Sequence, residues 1–262
     1  MNEWQQHSLG FAAGLLISLV TSPVGISGAV FLLPVQLDLL RVPNPQVTPT
    51  NLLYNVVSVP GSLMRYRRQQ QFVAPLTRAL TVGTLPGVII GALIRVYLVP
   101  GAGLFRVLAA ALLLPIGIYI LVRRNETAAL VSSARHSLDG GRLTALALAT
   151  GVVGGVYGIG GGSILGPILV GAGFPLAVVA PAALASTLLT SIVGAAGYSV
   201  IALSASGNIA PDWTLGFACG LGGLVGGYVG ARLQPHMPER ALRLLLGTLA
   251  LGLALTYIVQ SL

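Results

Sequence analysis

Apolar residues in this chain come in long blocks, at about 8–40, 45–64, 72–98, 103–122, 143–173, 176–205, 212–233 and 239–261, separated by short polar segments near 65–71, 123–142 and 232–240. A helix needs about 20 residues to cross the ~30 Å hydrocarbon core of a bilayer. Each block therefore predicts a membrane helix, and the chain reads as an all-α integral membrane protein whose apolar surface is partnered by the lipid bilayer.

Four blocks precede an Arg-bearing linker and four follow it, and the two sets resemble each other. "GISGAVFLLP" (Gly25–Pro34) recurs as "GIGGGSILGP" (Gly158–Pro167), and "TNLL" (Thr50–Leu53) recurs as "STLL" (Ser186–Leu189). The series Gly83, Gly87, Gly91, Ala92 recurs as Gly222, Gly226, Gly230, Ala231. Several matches in one order mark an internal duplication. The expected organisation is a first membrane repeat over 1–122, a cytoplasmic Arg-rich linker over 123–142 and a second membrane repeat over 143–262.

The first block of each half is unusual, because about 30 residues would make a straight helix of roughly 45 Å. Each is interrupted near its centre, over Thr21–Gly28 in the first half and Gly154–Gly162 in the second. Proline removes a backbone donor, and each glycine weakens a helix by about 1 kcal/mol relative to alanine. The segment either crosses with a kink or dips in and returns to the same face. Arginine positions choose between the two. With re-entrant hairpins, all but Arg41, Arg95 and Arg106 of the 14 arginines share one face, whereas with kinked crossings the split becomes nearly even. The positive-inside rule favours the lopsided arrangement. Each half is then a re-entrant helical hairpin plus three transmembrane helices. Three crossings are an odd number, so the two repeats are inverted, and both termini lie outside a plasma or inner membrane. Arg95 and Arg106 are expected to snorkel to the outer surface.

Composition narrows the function. The 262 residues are 55% hydrophobic and 8% charged, with a mean hydropathy of +0.88, against roughly 25% charged residues in soluble proteins. A water-soluble enzyme is excluded. The net charge of +8 resides in arginine alone. No basic stripe is interleaved with aromatics, so nucleic acid is not an expected partner. One cysteine, Cys219, allows no intramolecular disulfide and no cysteine metal cluster. No metal or cofactor is expected.

Irregular backbone at membrane depth is tolerated only where protein buries it or where it lines a cavity. Two interruptions at matching places point to one central site. Half-helices restarting near Gly28 and Gly161 would aim their N–H groups at it, which favours an anion. The six acids lie at or near the ends of the apolar blocks, so a midplane cation site lacks its usual carboxylate. The expected substrate-binding residues are Thr21, Ser22, Gly25, Ser27 and Gly28 on one side and Tyr157, Gly158, Gly160, Gly161, Gly162 and Ser163 on the other. Asn51 and Thr187 join them from the second helices, where Thr50, Asn55, Ser186 and Thr190 add further polar groups. A plainer reading stands beside this one, since membrane glycines also serve close packing and hydroxyls also bond helix carbonyls. Close packing is the expected role of the two glycine triplets, and Cys219 reads as a small buried residue. "GISG" (Gly25–Gly28) also fits the Gly-x-Ser-Gly pattern of rhomboid intramembrane proteases. A serine nucleophile needs a base within hydrogen-bond reach, and His7, His136 and His236 lie in flanks or loops, so an enzyme is not expected.

Together the paired motifs, the two fourfold sets of blocks and the length resemble the TauE/SafE family of sulfite exporters, across about 8–261. "GVYGIGGGSILGPIL" (Gly155–Leu169) is the most specific stretch. The resemblance implies a transporter, with export of a small sulfur-containing anion such as sulfite or an organosulfonate like sulfoacetate. Ser27 and Ala29 stand where the second half has Gly160 and Gly162. An anion channel built on the same site is the alternative, and a structural membrane subunit is the third reading. The oligomeric state stays open, a homo-oligomer included.

Overall fold

In the computed structural model, residues 2–69, 74–99, 140–172, 174–204 and 207–238 are described, together with scattered helical positions within 107–122 and 240–259. Arg106 and linker residues 123–139 lie outside the described residues. All regular structure among the described residues is helical.

Helix α1 (Glu3–Thr21) ends at a short 3-10 turn, Ser22–Val24, and Gly25 then takes a left-handed φ of 73°. Pro23 within that turn cannot donate to the helix it interrupts. Helix α2 (Ala29–Pro34) follows, and beyond Pro34 the backbone widens to i+5 spacing over Val35–Leu39. The segment 29–39 runs back alongside α1, where the Gln6 side-chain amide donates to the carbonyl of Leu40 at 2.7 Å. The chain therefore returns to the level at which α1 began. Helices α3 (Val47–Arg68) and α4 (Ala74–Tyr97) complete the described part of the first half.

The second half repeats this course with helix α5 (Gly140–Tyr157), helix α6 (Gly162–Gly171), helix α7 (Leu176–Ile201) and helix α8 (Trp213–Leu233). Leu143 and Leu146, early in α5, share an apolar cluster with Leu169, Val170 and Phe174 at the far end of α6. This pair also folds back on itself. The interruption is shorter than expected, because Gly154–Tyr157 remain helical and only 158–161 leave the helix. The reason lies in packing. A Cβ on Gly155 would strike the Val88 carbonyl of α4, and one on Gly154 would lie 2.6 Å from the Gly161 nitrogen, so from within the helix Gly155 serves the contact with α4 and Gly154 makes room for the turn that follows.

The halves are interlocked rather than set side by side. Helix α1 packs on α8 and α5 packs on α4, so each half's first helix lies on the other's fourth. Both seams run on the expected triplets. Cβ atoms on Gly222, Gly226 and Gly230 would overlap the carbonyls of Phe11, Leu15 and Leu19. On the other seam, Gly83 abuts Ala147, and Gly87 and Gly91 abut the carbonyls of Leu148 and Val152. Backbones this close gain dispersion contact that any side chain would prevent. Cys219 is buried in the first seam, 2.8 Å from where a Cβ of Gly10 would stand. Helices α3 and α7 pack against each other between the two seams.

Among the described residues, four helical stretches are long and apolar enough to cross a membrane, namely Glu3–Val24, Ala74–Tyr97, Leu176–Ile201 and Trp213–His236. The protein is a multi-pass membrane protein. Arg95 corrects the snorkelling expectation, because it is completely buried. It sits on the face of α4 turned towards Thr48 at the start of α3 rather than the face turned to lipid.

Candidate functional site

The two interruptions meet. The backbone N–H of Ser27 in the first half donates to Ser163 Oγ in the second at 3.3 Å, across 136 positions of sequence. Ser163 Oγ also pairs with Thr187 Oγ1 at 3.2 Å. On the first-half side, Ser27 Oγ donates to Asn55 Oδ1 and accepts from the N–H of Ala29 at 3.2 Å. Asn55 Nδ2 in turn reaches Ser191 Oγ at 3.1 Å and the Gly158 carbonyl at 3.4 Å. Asn55 is thus the hub that ties α3 to both interruptions and to α7.

Why these residues converge follows from backbone geometry. Gly158 and Gly160 have left-handed φ values of 71° and 72°, which cost an L side chain steric strain. Their missing Cβ atoms also leave room for neighbours, since one on Gly158 would strike the Thr48 carbonyl and one on Gly160 would lie 2.7 Å from Thr187 Cγ2. Gly161 and Gly162 press in the same way on Thr84 and on the Ala183 carbonyl. The turn is therefore wedged between α3, α4 and α7. Gly25 abuts Ala180 of α7, and Gly28 abuts Tyr54 of α3.

The expected residues divide into two groups. Ser27, Gly158, Gly160, Ser163 and Thr187 lie at the junction, and Asn51 borders it, donating through Nδ2 to the Ala29 carbonyl at 2.8 Å. The Asn51 Oδ1 atom is buried without a hydrogen bond. Ser22 belongs to a second cluster, where Ser62 Oγ donates to its hydroxyl at 2.9 Å and Tyr66 donates to its carbonyl at 2.8 Å. Thr21 is buried beside it, its hydroxyl without a partner. A matching tether exists in the second half, where Tyr198 donates to the Gly155 carbonyl at 2.9 Å. Tyr157 packs in the apolar cluster that contains Val156 and Val47.

Thr48, Ser191 and Arg95 were not among the expected residues. The duplication carries the signal for Ser191, because extending the match "TNLLYN" to "STLLTS" aligns Asn55 with Ser191. Thr48 Oγ1 donates to the Val156 carbonyl at 3.3 Å and accepts from Arg95 Nε at 3.1 Å. Arg95 also donates to the Asn44 side chain and to the Val99 carbonyl.

The junction is closed, with Ser27 2% and Ser163 3% exposed and Asn51, Asn55, Thr187 and Ser191 fully buried. Its side chains are hydroxyls and amides, which donate or accept as the occupant requires. Ser27, the serine of the "GISG" segment, is bonded to an amide oxygen, which cannot take its proton.

No curated protein and no solved structure matches the chain. A family model described as Sulfite exporter TauE/SafE matches residues 10–257, which include both interruptions, both glycine seams and the polar faces of α3 and α7. This match covers nearly the whole chain, and the chain belongs to the TauE/SafE sulfite exporter family.

Proposed function

We propose that the protein is an alternating-access carrier that exports a small sulfur-containing oxyanion, such as sulfite or sulfoacetate, bound at the membrane midplane between the two interruptions. The observation that carries this reading is the hydrogen bond from Ser27 N–H to Ser163 Oγ, which joins the interruptions of both halves at one buried point. In this reading α1 with the segment 29–39, and α5 with α6, are re-entrant hairpins. The return of Leu40 to Gln6 supports the first, and the Leu143–Phe174 cluster supports the second. Three crossings per half then make the repeats inverted, with both termini outside. Ser27, Asn51, Asn55, Gly158, Gly160, Ser163 and Thr187 would hold the anion through hydroxyl, amide and backbone donors. Donors without fixed charge bind weakly enough to let the anion leave.

Burial of the whole junction favours a carrier over a channel, since the closed arrangement is one an alternating site passes through. Rocking of the interlocked halves along the α1–α8 and α4–α5 seams would open it first to one face and then to the other.

The test is thermal unfolding of detergent-purified protein with sulfite, thiosulfate, sulfate, sulfoacetate, phosphate or acetate. A ligand at 100 times its Kd stabilises the folded state by about 2.7 kcal/mol. The expected result is selective stabilisation by a sulfur oxyanion, abolished in Asn55→Ala and Ser163→Ala. Equal and negligible effects of all six anions would overturn the reading.

A further inference from the structure

The duplication can be extended three residues past each glycine seam, and there the halves differ in charge. Arg95 follows Ala92 by three positions, and Gln234 follows Ala231 by three. Both are buried, at 0% and 8% exposure, and both sit where their helices end. Their surroundings correspond as well. Gln234 Nε2 donates at 2.8 Å to the carbonyl of Pro23, and the repeat aligns Pro23 with Val156. The Val156 carbonyl is satisfied by Thr48 Oγ1, and Arg95 stands directly behind Thr48. One half therefore meets the same backbone need with a neutral amide, and the other uses a hydroxyl backed by a guanidinium.

The positive charge is not needed to close that carbonyl, and it is expensive. Burying a guanidinium forfeits its hydration, of which the C-terminal end of α4 and the bond to the Val99 carbonyl recover a part. We propose that Arg95 is the anion-capturing, charge-selecting residue at the Asn44 end of the junction, and that neutral Gln234 makes the opposite end non-selective for charge. The inference rests on the transport reading above.

The contacts of Arg95 suit this task. Its hydrogen-bond partners include an amide oxygen (Asn44), a hydroxyl (Thr48) and a backbone carbonyl (Val99), each a weaker acceptor for a guanidinium than an oxyanion. An arriving anion can exchange with Asn44 and Thr48 and take a two-pronged hold on the planar fork. Thr48 then lies between the captured anion and the junction, because its carbonyl abuts Gly158 and its helix carries Asn51 and Asn55. The titratable groups facing Arg95 among the described residues are the phenols of Tyr157 on α5 and Tyr198 on α7. Phenols ordinarily titrate near pH 10, so a pH dependence around neutrality belongs to the anion.

The experiment measures sulfite affinity by thermal stabilisation across the pH range in which sulfite gains its second charge, for wild type, Arg95→Gln, Arg95→Lys and Gln234→Arg. Wild type should bind more tightly as the dianion forms. Arg95→Gln should weaken binding by about tenfold or more and flatten the profile. Arg95→Lys keeps the charge and loses the fork, so it should retain the slope with intermediate affinity, and it stands in if Arg95→Gln does not fold. Gln234→Arg should steepen the slope. A folded Arg95→Gln protein with unchanged affinity and slope, or an Arg95→Lys protein whose slope is lost, would overturn this inference and leave the carrier reading intact. Absence of all anion binding overturns both.

Discussion

The two interruptions occupy matching places in a duplicated chain, yet different forces hold them. The first, Ser22–Gly28, is held mainly by side-chain bonds, from Ser62 and Tyr66 to Ser22, from Gln234 to Pro23 and between Ser27 and Asn55, with Gly25 and Gly28 pressed on Ala180 and Tyr54. The second, 158–161, is held mainly by close approach, with glycines pressed onto Thr48, Thr84 and Thr187 and Gly162 on the Ala183 carbonyl, and with a side-chain bond from Asn55 to the Gly158 carbonyl. A duplicated fold can thus keep its geometry while shifting the balance between hydrogen bonds and tight packing. Both walls of the junction still carry hydroxyls, Ser27 from the first half and Ser163 and Thr187 from the second.

The comparison can be broken most severely at the aligned pair Ala29 and Gly162. Gly162→Val should destabilise the protein by about 3 kcal/mol, because its side chain would be driven into Ala183 and Thr187. Ala29→Gly should cost only about 1 kcal/mol, the usual loss for glycine within a helix. Equal shifts in detergent thermal unfolding would show that the two walls are held alike. A middle-sized effect is expected at the tyrosine tethers. Tyr66→Phe and Tyr198→Phe should each cost about 1 kcal/mol, the first by removing one of two donors to the Ser22 carbonyl, which keeps the Gly25 N–H, and the second by removing the phenol that donates to the Gly155 carbonyl. The tethers lie in separate clusters, so the double variant should show the sum, and strong non-additivity would mean that the halves are coupled through them. The smallest effect is expected at Ser62→Ala, which removes one hydroxyl bond to Ser22 for about 0.5–1 kcal/mol. Anion stabilisation should persist in that variant. Its loss would bring the Ser22 cluster into the binding site.

Much of this was legible in the sequence. The repeated "GISG" and "GIGG" segments located both turns, and the triplets located both seams, because each depends on glycine in a way few other residues can satisfy. Polar residues in otherwise apolar blocks identified Ser27, Ser163, Asn51 and Thr187. The hub role of Asn55 was not legible, since it depends on which face of α3 meets α7. Arg95 was misread for a related reason. An arginine near a helix end ordinarily extends to water, and only its hydrogen bonds to Thr48 at the start of α3 and to Asn44 hold it inward. Gly154 and Gly155 read as part of the turn because glycine serves turns and close packing alike, and only the structure shows Gly155 against α4 and Gly154 against the turn at Gly160 and Gly161.

The interlocking of the halves also bears on how the protein is made. Helix α1 emerges first during synthesis, but its seam partner α8 begins only at Trp213. Through most of translation the carbonyls of Phe11, Leu15 and Leu19 lack the glycine surface that finally covers them. Helices α4 and α5 can pair much earlier. Assembly should therefore begin at the centre of the chain and close last around its first helix, and contacts of such long sequence separation form slowly.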